Sequence, residues 1–229
     1  MEEIEYTVRR SSRARHARIV VDAGGVEVVL PQRMALRHVP PLVEEKRRWI
    51  ERTLRRFREA ERALPVLADG GVVPYLGRPM LLRIRVEPGR VRPFVSRRGD
   101  VLHVKVGEHG PDAVREALER WYRRRARVEV AARLDAAVRR AGTRYTKLTI
   151  RSQRTRWASC SSSGAMSFNW RLLLAPEEIL DYVVEHEVAH LDVMDHSKRF
   201  WRVVEKRCPD YREHERWLRN YGPALRTLL

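Results

Sequence analysis

The chain reads as an α+β protein, with strands concentrated in its front half and helices in its back half. Three observations carry this expectation. Residues 4–30 and 72–106 alternate polar and apolar side chains, the two-residue period of half-buried strands. Residues 36–64 and 111–141 instead repeat their apolar positions at helical spacing. The composition, 43% hydrophobic and 34% charged over 229 residues, is that of a globular chain long enough for one large domain or two small ones.

In chain order, Tyr6–Val8, Ile19–Val21 and Val26–Leu30 supply strand patterns, with Gly24-Gly25 as a hairpin turn and Pro31 ending the run. A helix is expected over 36–64, with Leu42, Trp49, Ile50, Leu54 and Phe57 near one face and Pro65 closing it. Strands are expected at 72–75, 80–86, 92–95 and 101–106. Pro111 opens the longest helical stretch, which Gly142 is placed to cap. Two short strands, 147–151 and 165–170, precede a helix opening at Pro176, where Glu177 and Glu178 complement the positive helix end. Further helices are expected at 197–207 and 209–220. No repeat or low-complexity linker appears. The change from strand-rich to helix-rich pattern sets a soft boundary, with domains 1–110 and 111–229.

Composition excludes some classes. No run of eighteen apolar residues exists, so no transmembrane helix is expected. The acidic start, Met1-Glu2-Glu3-Ile4-Glu5-Tyr6, lacks the apolar stretch of a secretory signal. Two cysteines, Cys160 and Cys208, do not build a disulfide scaffold and suit a reducing, cytoplasmic setting. The formal net charge of +17 suits a polyanionic partner such as nucleic acid. The excess is spread out, however. Residues 1–110 hold 23 basic and 14 acidic side chains, and residues 111–229 hold 24 and 16. Of the 47 basic residues 42 are Arg, which equally fits a general Arg bias.

The chemistry concentrates in His186-Glu187-Val188-Ala189-His190, with His196 six residues on. His186 and His190 are i, i+4 neighbours on one helix face, so both imidazoles reach one ion. Glu187 is offset from that edge and reaches a water on the ion instead, as the general base. Composition alone would produce H-E-x-x-H roughly 0.03 times in such a chain. Ile179, Tyr182 and Val183 continue the same stripe, so these histidines extend a buried face.

His196 is the first choice for third ligand, with Glu205, Glu213 and His214 as competitors. It requires the helix to end near Val193 and the chain to fold back through Met194-Asp195. Val193 resists a positive φ, which leaves Asp195 to adopt it. Asp192 and Asp195 are either carboxylates that orient a ligand histidine or solvated turn acids.

Flanking stretches complete the pattern: Arg154-Thr155-Arg156-Trp157-Ala158-Ser159-Cys160, Ser167-Phe168-Asn169-Trp170-Arg171, His196-Ser197-Lys198-Arg199-Phe200-Trp201 and Trp217-Leu218. With H-E-V-A-H they resemble the YgjP-like metallopeptidases, relatives of the SprT and WLM zinc proteases. The likeness runs over nearly the whole chain. Arg9-Arg10-Ser11-Ser12-Arg13-Ala14-Arg15 and Tyr75-Leu76-Gly77-Arg78 also match that family's front half. The resemblance implies a minimal zincin fold in the back half, made of a backing helix, a small twisted sheet and the H-E-x-x-H helix. It implies one zinc ion on His186, His190 and His196 with Glu187 as general base. Ala158 stands where the family usually has Gly, which matters only if that position needs positive φ.

Arg156, Ser159, Asn169 and Arg171 are the candidate substrate contacts. Cys160 is either a fourth ligand or a small buried residue. Trp157, Trp170, Phe200 and Trp201 fit the core better than a binding platform.

Three functions are compatible with these residues. The first is a zinc-dependent hydrolase of peptide bonds, with an edge strand near 165–170 pairing an extended peptide and with nucleic-acid-associated proteins among its substrates. The second is a zinc-dependent nucleotide or phosphoester hydrolase, though no glycine-rich phosphate loop exists. The third is a nucleic-acid-binding protein with a structural zinc; three histidines that leave a coordination position open suit chemistry better. Oligomeric state is not fixed by any of these features.

Overall fold

The structure is a computed structural model that describes residues 4–12, 14–22, 25–62, 66–108, 110–153 and 155–229, without the side chains of 22 and 56–62. The acidic start at 1–3, Gly24 of the hairpin turn, the Phe57 side chain, the Pro65 stop, and Arg13 and Arg154 of the family-like stretches lie outside the described residues. The chain divides into two compact units between Leu64 and Pro65. The pattern change near residue 110 falls inside the second unit.

The first unit holds β1 (Thr7–Ser11), β2 (Arg18–Asp22) and β3 (Gly25–Pro31) in the order β1-β3-β2. β2 runs antiparallel to β3 as a hairpin partner, and β1 joins the other edge in parallel. Val26, Val28 and Leu30 alternate inward from β3 and meet Val39, Val43 and Ile50 from the helices. The single helix expected over 36–64 is in three pieces. A 3-10 turn, Leu36–His38, precedes α1 (Val39–Glu45) and α2 (Arg47–Arg62). Pro40 and Pro41 carry no N–H to bond back to the preceding carbonyls, so the α-helix starts at their turn. Lys46 (φ −98°, ψ 4°) then interrupts the run.

The second unit opens with β4 (Val72–Tyr75), β5 (Arg78–Val86), β6 (Phe94–Arg98) and β7 (Val101–Val106), ordered β4-β5-β7-β6. β6 starts later than the expected 92–95. Its partner register, Arg98 opposite Val101, is set by a two-residue turn whose Gly99 has φ +57°. Leu76 (φ 50°) and Gly77 (φ 77°) make the equivalent turn between β4 and β5. The Leu76 N–H donates to Leu173 O at 2.8 Å, and Gly77 is so close to Pro176 that an added Cβ would sit 3.3 Å from its Cα. This turn therefore docks on the segment that leads into the histidine helix.

α3 (Pro111–Ala141) runs the full predicted length and ends on Gly142 at φ 66°. Its buried stripe includes Leu118, Trp121, Tyr122, Val130 and Leu134, and it packs on β6, β7 and β8. Tyr75, Trp121, Tyr122 and Trp170 form one aromatic cluster, and the Tyr122 hydroxyl donates to Pro74 O. A second sheet contains β8 (Lys147–Arg151), β9 (Ala158–Cys160) and β10 (Ala165–Asn169). Its order is β8-β10-β9, with β10 parallel to β8 and antiparallel to β9. β10 is thus the central strand, not the edge expected near 165–170, because both of its backbone edges are already paired. The open edge beside the histidine helix is β9, a strand of three residues.

A 3-10 segment, Trp170–Leu174, leads to α4 (Glu177–Ala189), α5 (Lys198–Arg207) and α6 (Tyr211–Leu225). α3 backs α4 through ion pairs: Arg133 reaches Glu177 and Asp181, and Arg140 reaches Glu185. Among the described residues no helix is long and apolar enough to cross a membrane, and both cysteines are free thiols.

Candidate metal centre

α4 presents its histidines because its buried stripe, Ile179, Tyr182 and Val183, continues into His186 and His190. The helix ends at Ala189 with His190 as its C-cap, four residues before the expected stop at Val193. The chain then turns tightly, with Asp192 N–H and Val193 N–H both bonding to Ala189 O. The expected left-handed residue is absent: among the described residues Leu76 is the only non-glycine with positive φ, so neither Val193 nor Asp195 adopts it. Asp195 Oδ1 accepts the Ser197 N–H at 3.0 Å, and Ser197 caps α5 by accepting from Phe200 N–H. That pair of turns carries His196 back over the helix.

The ligand atoms of His186, His190 and His196 all lie within 4.8 Å of one another. The Nε2 atoms of His186 and His196 are 3.2 Å apart. A tetrahedral ion with metal–nitrogen bonds of about 2.05 Å would set its ligand nitrogens about 3.3 Å apart, so this pair already has a shared-ion spacing. Phe200, fully buried, is the floor beneath all three rings. Its centroid is 4.4 Å from His190, 4.9 Å from His186 and 4.8 Å from His196. The His190 Nδ1 lies 3.1 Å from Val193 O, which fixes Nδ1 as the protonated nitrogen and leaves Nε2 free to ligate.

Burial pushes the His186 imidazole down to about 3, with His190 and His196 adding to the effect, and it lowers His190 as well. Both rings are therefore neutral at physiological pH, the state a metal requires. Glu187 is 5% exposed, and burial raises its carboxyl to about 8. The Arg156 charge and the Cys160 backbone N–H act in the opposite direction. Its Oε2 has no partner, nor does the buried His186 Nδ1, among the described residues. A buried carboxylate short of donors beside two uncharged imidazoles fits a divalent cation as the missing counter-charge.

The other expected residues fall in different places. Cys160 is outside the histidine cluster; its thiol points to Ser161 O at 3.5 Å and is pushed up to about 11, first by burial and then by Glu187. Ala158 is in an extended strand without positive φ, so its backbone does not call for the Gly usual there. Ser159 Oγ pairs with Ser167 Oγ at 2.9 Å across the sheet. Asn169 is buried, and its amide donates to Gln153 O and Arg156 O while its oxygen accepts from Arg171 N–H. Arg171 stacks on Trp170 and binds Ser152 Oγ and Leu229 O. Asn169 and Arg171 thus spend their polar atoms inside the protein, holding the Arg156–Cys160 segment and the chain end. Asp192 pairs with Arg207 at 2.6 Å and Asp195 with Ser197, so neither orients a histidine. The Val193 carbonyl does that instead.

Sequence reasoning passed over three contributors. Arg207, which also lies 3.8 Å from the buried Glu185, ties the turn after His190 to α5. Trp201, expected in the core, is half-buried and stands 5.8 Å from His186 and 5.9 Å from His196. Gly222 lies on the Trp157 ring, where a Cβ would come within 3.0 Å. Gly222 lies beyond the helix expected over 209–220, although α6 runs on to Leu225.

A buried Glu between two imidazoles four residues apart, closed by a third from the following bend, defines a metal-dependent hydrolase. Comparison with known families agrees: the model for the YgjP-like metallopeptidase domain matches residues 15–221. The chain belongs to the YgjP-like metallopeptidase family. Among solved structures, the metallopeptidase zymogen of Pyrococcus abyssi abylysin is 29% identical, covering 38% of this chain and 90% of that one at a TM-score of 0.34. A comparison with curated proteins finds no match.

Proposed function

We propose that the protein is a zinc-dependent peptidase in which His186, His190 and His196 hold one zinc ion and Glu187 is the general base. The observation that carries this is the convergence of three imidazoles on one point above Phe200, with Glu187 buried next to them. Bound there, zinc would polarise the scissile carbonyl and acidify a water.

The protein's own residues supply the rest. The Cys160 N–H holds one face of Glu187, which fixes the carboxylate for proton transfer from water to the leaving amine. Substrate orientation falls to β9. Asn169 N–H bonds Trp157 O and Ser161 N–H bonds Ala165 O, so residues 157, 159 and 161 face β10. The backbone groups of Ala158 and Cys160 then point to the open edge. The Cys160 N–H is taken by Glu187, which leaves Ala158 to pair with an extended peptide.

Association with proteins on nucleic acid rests on the +17 net charge and predicts DNA affinity that falls steeply with salt; salt-insensitive or absent DNA binding removes it. For the central reading, metal analysis and casein digestion are run side by side. The wild type should carry one zinc and digest casein, and Glu187→Gln should keep zinc and lose digestion. Digestion retained in that variant overturns the mechanism.

A further inference from the structure

Beside the histidine cluster lies a second feature that metal chemistry does not use. A pocket of about 330 Å³ is lined by Trp201, Tyr211, Arg212, Glu215, Arg216 and Arg219. Trp201 connects it to the centre. Its ring lies within 6 Å of the His186 and His196 rings and stacks on Tyr211 at 5.3 Å and 20°. A substrate that extends from the metal past Trp201 therefore reaches this pocket.

Its charge is unbalanced. Arg212, Arg216 and Arg219 follow one another along a single face of α6 at spacings of four and three. Arg219 pairs with Glu215 at 3.0 Å. Arg212 lies over the Tyr211 ring, donates to its hydroxyl at 3.1 Å and feels the Glu205 carboxylate. Arg216 is exposed, and no hydrogen bond or ion pair engages it among the described residues. Three guanidiniums thus face one lining carboxylate, over an aromatic wall that excludes water from one side.

We propose that this pocket is a specificity subsite that takes an acidic side chain of a peptide substrate, with Arg216 as its principal contact. The inference rests on the peptidase reading of the adjacent centre. Guanidinium forks match carboxylates, and the Trp201–Tyr211 wall accommodates the aliphatic stem of a glutamate. A phosphate-bearing substrate would use the same charges. However, a carboxylate, Glu215, is part of the lining and no glycine is, unlike the glycine-rich cradles that hold phosphate.

The test uses the zinc-loaded full chain and a set of decapeptides in which one position at a time is Glu, Ala or Lys. Cleavage is measured with the wild type, and binding is measured separately with Glu187→Gln, which needs no turnover. At one position Glu should be preferred over Lys by about tenfold in both measurements. Adding Arg216→Glu should bring that ratio to one or below. Arg216 is exposed, so the reversal does not disturb the core. A Glu/Lys ratio near one at every position, or a ratio unchanged by Arg216→Glu, overturns the subsite. Inorganic triphosphate that binds more tightly than every Glu decapeptide, and does so through Arg216, assigns the pocket to phosphate and equally overturns it. If the wild type cuts no peptide while the Arg216-dependent preference persists in binding, the peptidase reading fails and the acidic subsite stands.

Discussion

At Glu187 two demands meet in one side chain: the proposed base must ionise, yet it is buried and raised to about 8. In chelated protein the sign of its contribution follows. The native carboxyl stays protonated from pH 4.5 to about 8 while the unfolded one ionises, so its stabilisation is full below 4.5 and lost as pH rises to about 8. Metal-free Glu187→Gln should therefore gain stability over metal-free wild type across that window, by a few kcal/mol at pH 8. Thermal melts at pH 5 and pH 8 check this, and a constant difference contradicts it. His186 works the other way. Lowered from 6.5 to about 3, it stabilises above pH 6.5 and that contribution fades as pH falls toward 3. Phe200→Ala removes the floor common to three rings and should cost roughly 3–5 kcal/mol together with zinc affinity. Undiminished zinc binding would show that the rings need no such support. Much of this residue-scale detail was legible, because H-E-x-x-H is local and helix spacing converts directly into a shared face. Arg207 and Trp201 were not, since their roles come from residues far off in sequence and only folding brings them together.

The element proposed to orient substrate, β9, was hidden in the sequence. Three residues are too few to show an alternating pattern, and the neighbouring Ala165–Asn169 strand looked like the stronger edge. Long elements were easier: the 31-residue α3 matched its periodicity from Pro111 to Gly142. Its predicted partner, the histidine helix, stopped four residues early because the turn at Ala189 O closes without any left-handed residue. Two predictions belong at this scale. Ala158→Pro removes an N–H that points away from β10, so zinc and folding should persist while casein digestion drops at least about tenfold. Normal digestion by a folded Ala158→Pro protein dismisses β9 as the substrate edge. Arg207→Ala frees the turn that carries the chain from His190 to His196 and should weaken zinc binding about tenfold, as loss of a ligand-positioning contact does. Competition against a chromogenic chelator measures it, and an unchanged affinity assigns Arg207 to packing alone.

For the whole molecule, the α+β class and the metallopeptidase family followed from pattern and motif, and the structure supplies the internal architecture. The first sheet, β1-β3-β2, has its own helices and its own core, while β4–β7 share a unit with the catalytic elements. Alternation and period cannot reveal such groupings, since they report which face is buried and not against what. The centre lies on α4 and the bend into α5, so metal and fold should be coupled: chelation should lower the melting temperature, and zinc in excess of its Kd should restore it. The claim on which all of this depends is that one ion is held jointly by His186, His190 and His196. Metal content of purified wild type and His196→Ala, measured by mass spectrometry under native conditions, tests it most directly. One zinc per wild-type chain and a severely depleted variant is the predicted result. A wild type that takes up no zinc, or a His196→Ala variant that holds it as tightly, would contradict it.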